Sequence, residues 1–196
     1  MKVIGITGGV GSGKSEVMKM IEKLSDSCMI YADDVANMLK EKGKPCYFDL
    51  LSLLGEDILN EEGEIDKKKM AARMFAEGNE DLTARVNEIV HPRVKQYILD
   101  RIDEENSAGR FDYFFIEAAL LIEDGYDKIC DELWYVYADE DVRRERLKKS
   151  RGYSDEKITG IFSSQNKDEV FRKHCRVIIE NNGDLDSLKE QILRHL

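Results

Sequence analysis

The chain has 196 residues, of which 42% are hydrophobic and 36% are charged, and its formal net charge at pH 7 is −10. This length suits one domain, or one domain with an insertion, and the negative charge argues against general nucleic-acid binding, which needs a broad positive surface. No segment approaches the roughly 18 apolar residues of a membrane helix, and the apolar N-terminal run is too short for a signal peptide. We therefore expect a cytoplasmic protein without nucleic-acid or membrane partners.

Predicted strands and helices alternate along the chain, which indicates an α/β fold with a parallel sheet and helices on both faces. The predicted strands are residues 3–7, 28–31, 111–116, 133–138 and 176–180, and the clearest predicted helices are residues 16–24 and 185–196. The predicted sheet and its helices together form the core of the domain, which comprises residues 1–34, 110–140 and 175–196. The chain is thus predicted to form a single domain around this core.

Residues 35–109 show helical patterns but no convincing strand. Pro92 fits the first turn of a helix, with His91 just before it, because proline is favoured at that position. We predict that this all-helical block, which follows the second strand of a parallel sheet, is a subdomain that binds an acceptor substrate.

Residues 8–15 read GGVGSGKS and match the phosphate-binding pattern G-x-x-x-x-G-K-[ST], between a predicted strand and a predicted helix. Glycines allow the backbone to curl around phosphates, and the helix N-terminus attracts the same anion. The lysine adds a charge for the β- and γ-phosphates, and the serine hydroxyl can ligate Mg²⁺. The nucleotide is predicted to contact Gly9, Gly11, Ser12, Gly13, Lys14, Ser15 and Glu16.

Carboxylates follow two of the predicted strands, at the sheet edge where ligands bind in parallel sheets. Asp33 could accept a proton from an attacking hydroxyl or help to hold Mg²⁺, and it equally suits the N-cap of the next helix. Glu117 ends a hydrophobic strand, where an acid associated with Mg²⁺ is expected. The predicted metal site is Ser15, Asp33 and Glu117.

Residues 141–170 are predicted to form a helical lid. Its segment 143–151, RRERLKKSR, carries six basic residues and one acid in an acidic protein. Gly152 can end one helix and Ser154 can cap the next, giving a hairpin whose arginines would neutralise the transferring phosphoryl group. The alternative is a solvated, charge-rich helix face. Arg146, like Lys14, is predicted to be catalytic, and Arg151 is predicted to contact ATP.

Asn182 lies in the turn after the last strand. There it can meet the adenine edge or simply form a turn.

Together these motifs resemble the dephospho-CoA kinase family. The resemblance rests on TGGVGSGKS, IYADDVA, the His-Pro pair, EAALLIE and NNG, in the family's order and spanning almost the whole chain. It implies ATP- and Mg²⁺-dependent phosphorylation of the ribose 3′-hydroxyl of dephospho-CoA, the last step of coenzyme A synthesis. It also favours Asp33 as the general base and Gln165 as a lid residue.

The chain departs from the family pattern at four places. Tyr31 replaces an aspartate, Glu16 replaces a common threonine, and Ala119 replaces a proline. Arg146 and Arg151 are separated by four residues where the family has three.

Two other hypotheses remain open from the sequence: a kinase for another small metabolite, and a P-loop ATPase or GTPase that acts as a switch. Asn166-Lys167-Asp168 lacks the spacer of the guanine motif N-K-x-D, which disfavours a GTPase. The expected partners are dephospho-CoA and ATP, and the protein is expected to be a monomer or a small homo-oligomer.

Overall fold

The computed structural model describes residues 1–79 and 81–196, and these residues form five strands and nine α-helices. The strands are β1 (Lys2–Thr7), β2 (Ser27–Tyr31), β3 (Tyr113–Glu117), β4 (Glu132–Tyr137) and β5 (Val177–Glu180). The helices are α1 (Lys14–Leu24), α2 (Ala32–Leu39), α3 (Pro45–Leu54), α4 (Lys67–Met74), α5 (Leu82–Ala108), α6 (Glu140–Arg151), α7 (Asp155–Ser164), α8 (Asp168–His174) and α9 (Leu185–Leu193). Short 3₁₀ helices lie at Glu56–Ile58 and Tyr126–Lys128.

The strands form one parallel sheet in the order β2-β3-β1-β4-β5. β1 is central and apolar, and it pairs with β3 on one side and β4 on the other. Side chains at the sheet centre, such as Ile4, Phe115 and Trp134, are fully buried. Because β1, β3 and β4 are neighbours, their carboxyl ends lie side by side. The loops that follow these three strands therefore share one edge of the sheet.

The chain divides into two compact units. The first comprises Met1–Ile30 and Glu105–Leu196 and contains most of the sheet, while the second comprises Tyr31–Glu104 and is built from helices. The only extended pairing among its described residues is an isolated bridge between Leu59 and Ile65.

Pro92 lies in the interior of α5, so the prediction that it begins a helix is wrong. Proline normally interrupts a helix, because it lacks an N–H and its ring crowds the preceding turn. Here a buried stripe of Val86, Val90, Val94 and Ile98 recurs every fourth residue and continues past the proline. The burial of this stripe outweighs the local preference for a helix start.

The hairpin predicted in the lid is present. α6 ends at Gly152, which has φ 62° and ψ 28°, and α7 begins after Ser154, whose side chain accepts the backbone N–H of Lys157. Within residues 1–79 and 81–196, every helix falls short of the length and apolarity that a bilayer crossing requires.

Candidate active site

The phosphate loop connects β1 to α1 through a backbone that requires glycine. Gly13 is the N-cap of α1 with φ 93°, and a Cβ added there would lie 2.1 Å from the Nδ2 of Asn181. Within the part of the chain that the structure describes, no side chain caps this helix terminus. The amides of the first turn therefore carry the partial positive charge that binds an anion at a helix N-terminus.

Lys14 and Glu117 meet at the carboxyl ends of β1 and β3. The Lys14 ammonium donates to the carbonyl oxygen of Gly8 at 2.9 Å and lies 3.6 Å from Glu117 Oε1. Both side chains are only 13% exposed. The register pairs Ile6 with Glu117, which explains why the carboxylate reaches the phosphate loop.

The same unit offers oxygen atoms suited to a hard cation. Ser15 is exposed in the first turn of α1, and Glu117 is the acid at the end of β3. Among the described residues, no group of three or more histidine, cysteine, aspartate or glutamate side chains could hold a metal by itself. Mg²⁺ usually takes one or two protein ligands together with substrate phosphates and water.

Arg143 and Gln165 hold the tip of the loop at Val10. The Arg143 guanidinium donates to the Val10 carbonyl oxygen at 2.9 Å and to Gln165 Oε1 at 2.9 Å. The same Gln165 oxygen accepts the Val10 N–H at 3.2 Å. Arg143 also lies over the ring of Phe162, 4.2 Å from its centroid, and burial lowers the pKa of its guanidinium.

We call Arg143, Phe162 and Gln165 the Val10 clamp. The sequence analysis placed Gln165 in the lid but missed Arg143, because nothing in a run of basic residues distinguishes the one that turns toward the loop. An arginine one turn before Arg146 on α6 was the available signal.

Arg146 and Asn181 hold the other end of the loop. Arg146 donates to the carbonyl oxygens of Ser12 at 3.3 Å and of Asn181 at 2.9 Å, and the Asn181 amide donates to the Ser12 carbonyl oxygen at 2.8 Å. Asn181 is buried and contacts the phosphate loop, although the sequence analysis selected its neighbour. Asn182 is exposed, and its side-chain oxygen accepts the N–H of Asp139 at 2.8 Å.

Two other predicted residues lie outside these contacts. Glu16 is exposed in the first turn of α1, and Arg151 is exposed at the end of α6, with its guanidinium 5.9 Å from the centroid of the Tyr153 ring. Of the predicted residues in the first unit, the structure thus brings together Ser12, Gly13 and Arg146 at one end of the loop, and Lys14 and Glu117 at the sheet edge.

Asp33 belongs to the second unit and is exposed in the first turn of α2. The N-cap of α2 is Tyr31, so the alternative that Asp33 caps this helix is wrong. The cap sits earlier than predicted because the strand passes directly into the helix, without an intervening turn. Asp33 therefore does not cap α2.

Comparison with known proteins decides among the three kinds of P-loop protein. The family model described as dephospho-CoA kinase matches residues 2–187. The chain belongs to this family. A dephospho-CoA kinase from Streptococcus agalactiae is 37% identical over 193 residues, which cover 98% of this chain and 96% of the relative.

Solved structures give the same fold. A Thermus thermophilus protein with 28% identity superposes with a TM-score of 0.80 and covers 99% of this chain and 95% of its own. A dephospho-CoA kinase from Campylobacter jejuni, at 20% identity, gives 0.73 with coverage of 100% and 96%. The predicted fold class, family and enzyme class are confirmed. Membership of this kinase family implies ATP as the phosphate donor and a small molecule as the acceptor.

Proposed function

We propose that this member of the dephospho-CoA kinase family transfers the terminal phosphoryl group of ATP to the ribose 3′-hydroxyl of dephospho-CoA and releases coenzyme A. The observation that carries the proposal is the glycine-bent loop with Lys14 beside Glu117, in a chain that the family model matches almost throughout. We further propose that it works in the cytoplasm, as a monomer or a small homo-oligomer.

ATP is proposed to bind along the phosphate loop. Backbone amides of Gly9, Gly11, Ser12 and Gly13 would surround the phosphates. The uncapped amides at the start of α1 would contact the same anion. Lys14 would exchange its bond to the Gly8 carbonyl for the β- and γ-phosphate oxygens. Glu16 and Asn182 are proposed to contact the rest of the nucleotide. Both side chains are exposed, which supports this role because a ligand can reach them.

Ser15, Glu117 and Asp33 are proposed to serve the Mg²⁺ site, directly or through water. All three offer oxygen atoms, which Mg²⁺ prefers. When bound, Mg²⁺ supplies positive charge to the phosphates. Glu117 has a second function in this proposal, because its carboxylate beside Lys14 keeps the ammonium at the loop until the nucleotide arrives.

Asp33 is proposed to accept the proton of the ribose 3′-hydroxyl while the oxygen of that hydroxyl attacks the γ-phosphorus. The new bond joins the 3′-oxygen to phosphorus, and the bond from phosphorus to the bridging oxygen breaks, so that ADP leaves with the electron pair. The exposed carboxylate of Asp33 supports this role, since a base must reach its substrate. The helical insertion, residues 35–109, is proposed to bind the acceptor.

The lid is proposed to exclude water, so that ATP donates to the acceptor and is not hydrolysed. Arg146 is proposed to stabilise the transferring charge, with Arg151 as a second contact to ATP. Arg146 already contacts the loop backbone through Ser12, which supports a position close to the nucleotide.

The test is ADP formation with ATP and Mg²⁺ against a panel of acceptors. We expect strong stimulation by dephospho-CoA and little by shikimate, gluconate or nucleoside monophosphates. ADP formation that is equally fast without any acceptor would instead identify an ATPase.

A further inference from the structure

A cavity of about 450 Å³ lies within the second unit. This volume is in the range of small-molecule sites. It is formed by the end of α2, the segment after it, the loop before α4 and the first residues of α4. Its lining residues are Asn37, Lys40, Glu41, Lys42, Glu64, Ile65, Lys67 and Met70. We call this cavity, with Lys40, Lys42 and Lys67 on its wall, the lysine pocket.

The lysines of the pocket do not neutralise nearby acids. Among residues 1–79 and 81–196, no carboxylate forms an ion pair with Lys40, Lys42 or Lys67, and Lys42 donates instead to the backbone carbonyl oxygen of Glu62 at 3.1 Å. Asp66, which precedes Lys67, accepts the backbone N–H groups of Lys68 and Lys69. Two acids, Glu41 and Glu64, also line the pocket, but the surplus of charge is positive.

Lys40 is the lysine most affected by its surroundings. It is half-buried, and burial, followed by the charge of Lys67, lowers the pKa of its ammonium. Two cations that repel each other at the wall of a cavity are an arrangement that a bound anion would relieve. Asp33 lies one turn before Asn37 on α2, and Asn37 lines the pocket, so the proposed base is close to it.

We propose that the lysine pocket binds the 5′-diphosphate of the acceptor, with Lys40 and Lys67 as the main contacts. This inference rests on the proposed function. The acceptor is an adenosine whose 5′-diphosphate leads to the pantetheine arm, and only ribose carbons separate that diphosphate from the 3′-hydroxyl. A base that takes the 3′-proton therefore needs a cationic site for the diphosphate near it, and Asp33 and the pocket satisfy this requirement within one unit.

The negative net charge of the protein makes a local cluster of cations necessary for binding a negatively charged acceptor. With a net charge of −10, the protein repels a polyanionic acceptor unless positive charge is concentrated where the acceptor binds. Lysine suits this task because its ammonium is a compact charge that binds phosphate without a fixed geometry.

The experiment measures the Kd of dephospho-CoA by calorimetry for the full chain and for the variants Lys40→Gln, Lys67→Gln and their double variant. Lys68→Gln is the matched control, because Lys68 is exposed on the same helix and does not line the pocket. We expect the Kd to rise about tenfold for each pocket variant and further for the double variant, with little change for the control. The Kd of a non-hydrolysable ATP analogue should stay constant in all of them.

Two further measurements make the result decisive. Lys67→Arg keeps the charge and should bind dephospho-CoA almost as well as the parent, which separates loss of charge from misfolding. Inorganic pyrophosphate should compete with dephospho-CoA for the parent and lose this ability in the double variant. A double variant that binds dephospho-CoA as tightly as Lys68→Gln would overturn the inference, as would pyrophosphate binding that leaves dephospho-CoA binding unaffected.

This outcome is distinct from failure of the proposed function. If the parent chain transferred no phosphoryl group to dephospho-CoA, the function itself would be wrong. If transfer persisted with the same KM in the double variant and the control, only the lysine pocket would be misassigned.

Discussion

At the phosphate loop, Arg143 and Arg146 of α6 bond to the protein itself, whereas Lys40 and Lys67 line the cavity of the lysine pocket. Arg143 and Arg146 each donate to backbone carbonyl oxygens of the loop. Lys40 has its pKa lowered by burial and by its neighbour. The two groups of cations therefore have different functions in this account. The arginines stabilise the backbone conformation that binds a ligand, whereas the lysines are proposed to bind a ligand directly.

The largest effect is expected for Lys14→Ala. Lys14 is expected both to hold the loop and to contact the β- and γ-phosphates of ATP, so its loss should reduce kcat/KM by about 10³-fold. Lys19→Ala, at an exposed position on α1, is the control and should retain nearly full activity. Steady-state kinetics with saturating Mg²⁺ check this, and equal rates for the two variants would contradict it.

Asp33→Asn should reduce kcat by about 10²- to 10³-fold, because removal of a general base costs this much. The Kd of the ATP analogue measured without Mg²⁺ should remain unchanged, since in the absence of the metal Asp33 is proposed to act only on the acceptor. Asp34→Asn is the matched control at the next exposed position of α2. Normal turnover of Asp33→Asn would remove Asp33 from the mechanism.

Arg143→Ala tests the Val10 clamp. Removal of its bonds to Val10 and Gln165, and of its stacking on Phe162, should raise the KM for ATP about tenfold. Lys149→Ala is the comparison, because it removes a basic side chain at an exposed position of the same helix. A double-mutant cycle of Arg143 and Gln165 should be non-additive, whereas additive effects would show that the two side chains act separately.

The smallest effect concerns stability. The pKa of Lys40 is lower in the folded protein than in the unfolded chain. At a pH below the folded-state pKa, the charged ammonium therefore destabilises the folded state. This destabilisation disappears as the pH rises from the folded-state pKa toward the ordinary value of 10.5. Lys40→Gln should therefore raise Tm by about 1–2 °C at pH 7 without ligand. The gain should shrink toward pH 10.5. Thermal melts check this, with Lys68→Gln as the control, and a lower Tm for Lys40→Gln would indicate that Lys40 serves the fold.

The comparison also shows how far the sequence reaches. The phosphate loop and the five strands were predictable, because glycine spacing and apolar runs act locally. The strand order was not, since pairing between β1 and β4 depends on packing of distant segments. Pro92 was misplaced for a related reason, because the buried stripe along α5 outweighs the local preference of one residue.

Some side chains around the loop, such as Lys14, Arg146 and Gln165, were predicted by number, whereas others were predictable only in type. The sequence indicated basic residues in α6 and an asparagine after β5, but Arg143 and Asn181 could not be told from Arg144 and Asn182. Which of two neighbours turns inward is set by the register of the helix or turn against the loop. Asp33 presents the opposite case, because its role as an N-cap fitted the local pattern and the structure gives that position to Tyr31.

The most direct test of the central claim follows the labelled γ-phosphoryl group of ATP in the presence of Mg²⁺ and dephospho-CoA. The account predicts that the label appears as a phosphate monoester on the ribose 3′-oxygen, seen by phosphorus NMR and by the mass of the product, in equal amount to the ADP formed. Label found only in inorganic phosphate, or on another hydroxyl of the acceptor, would contradict it.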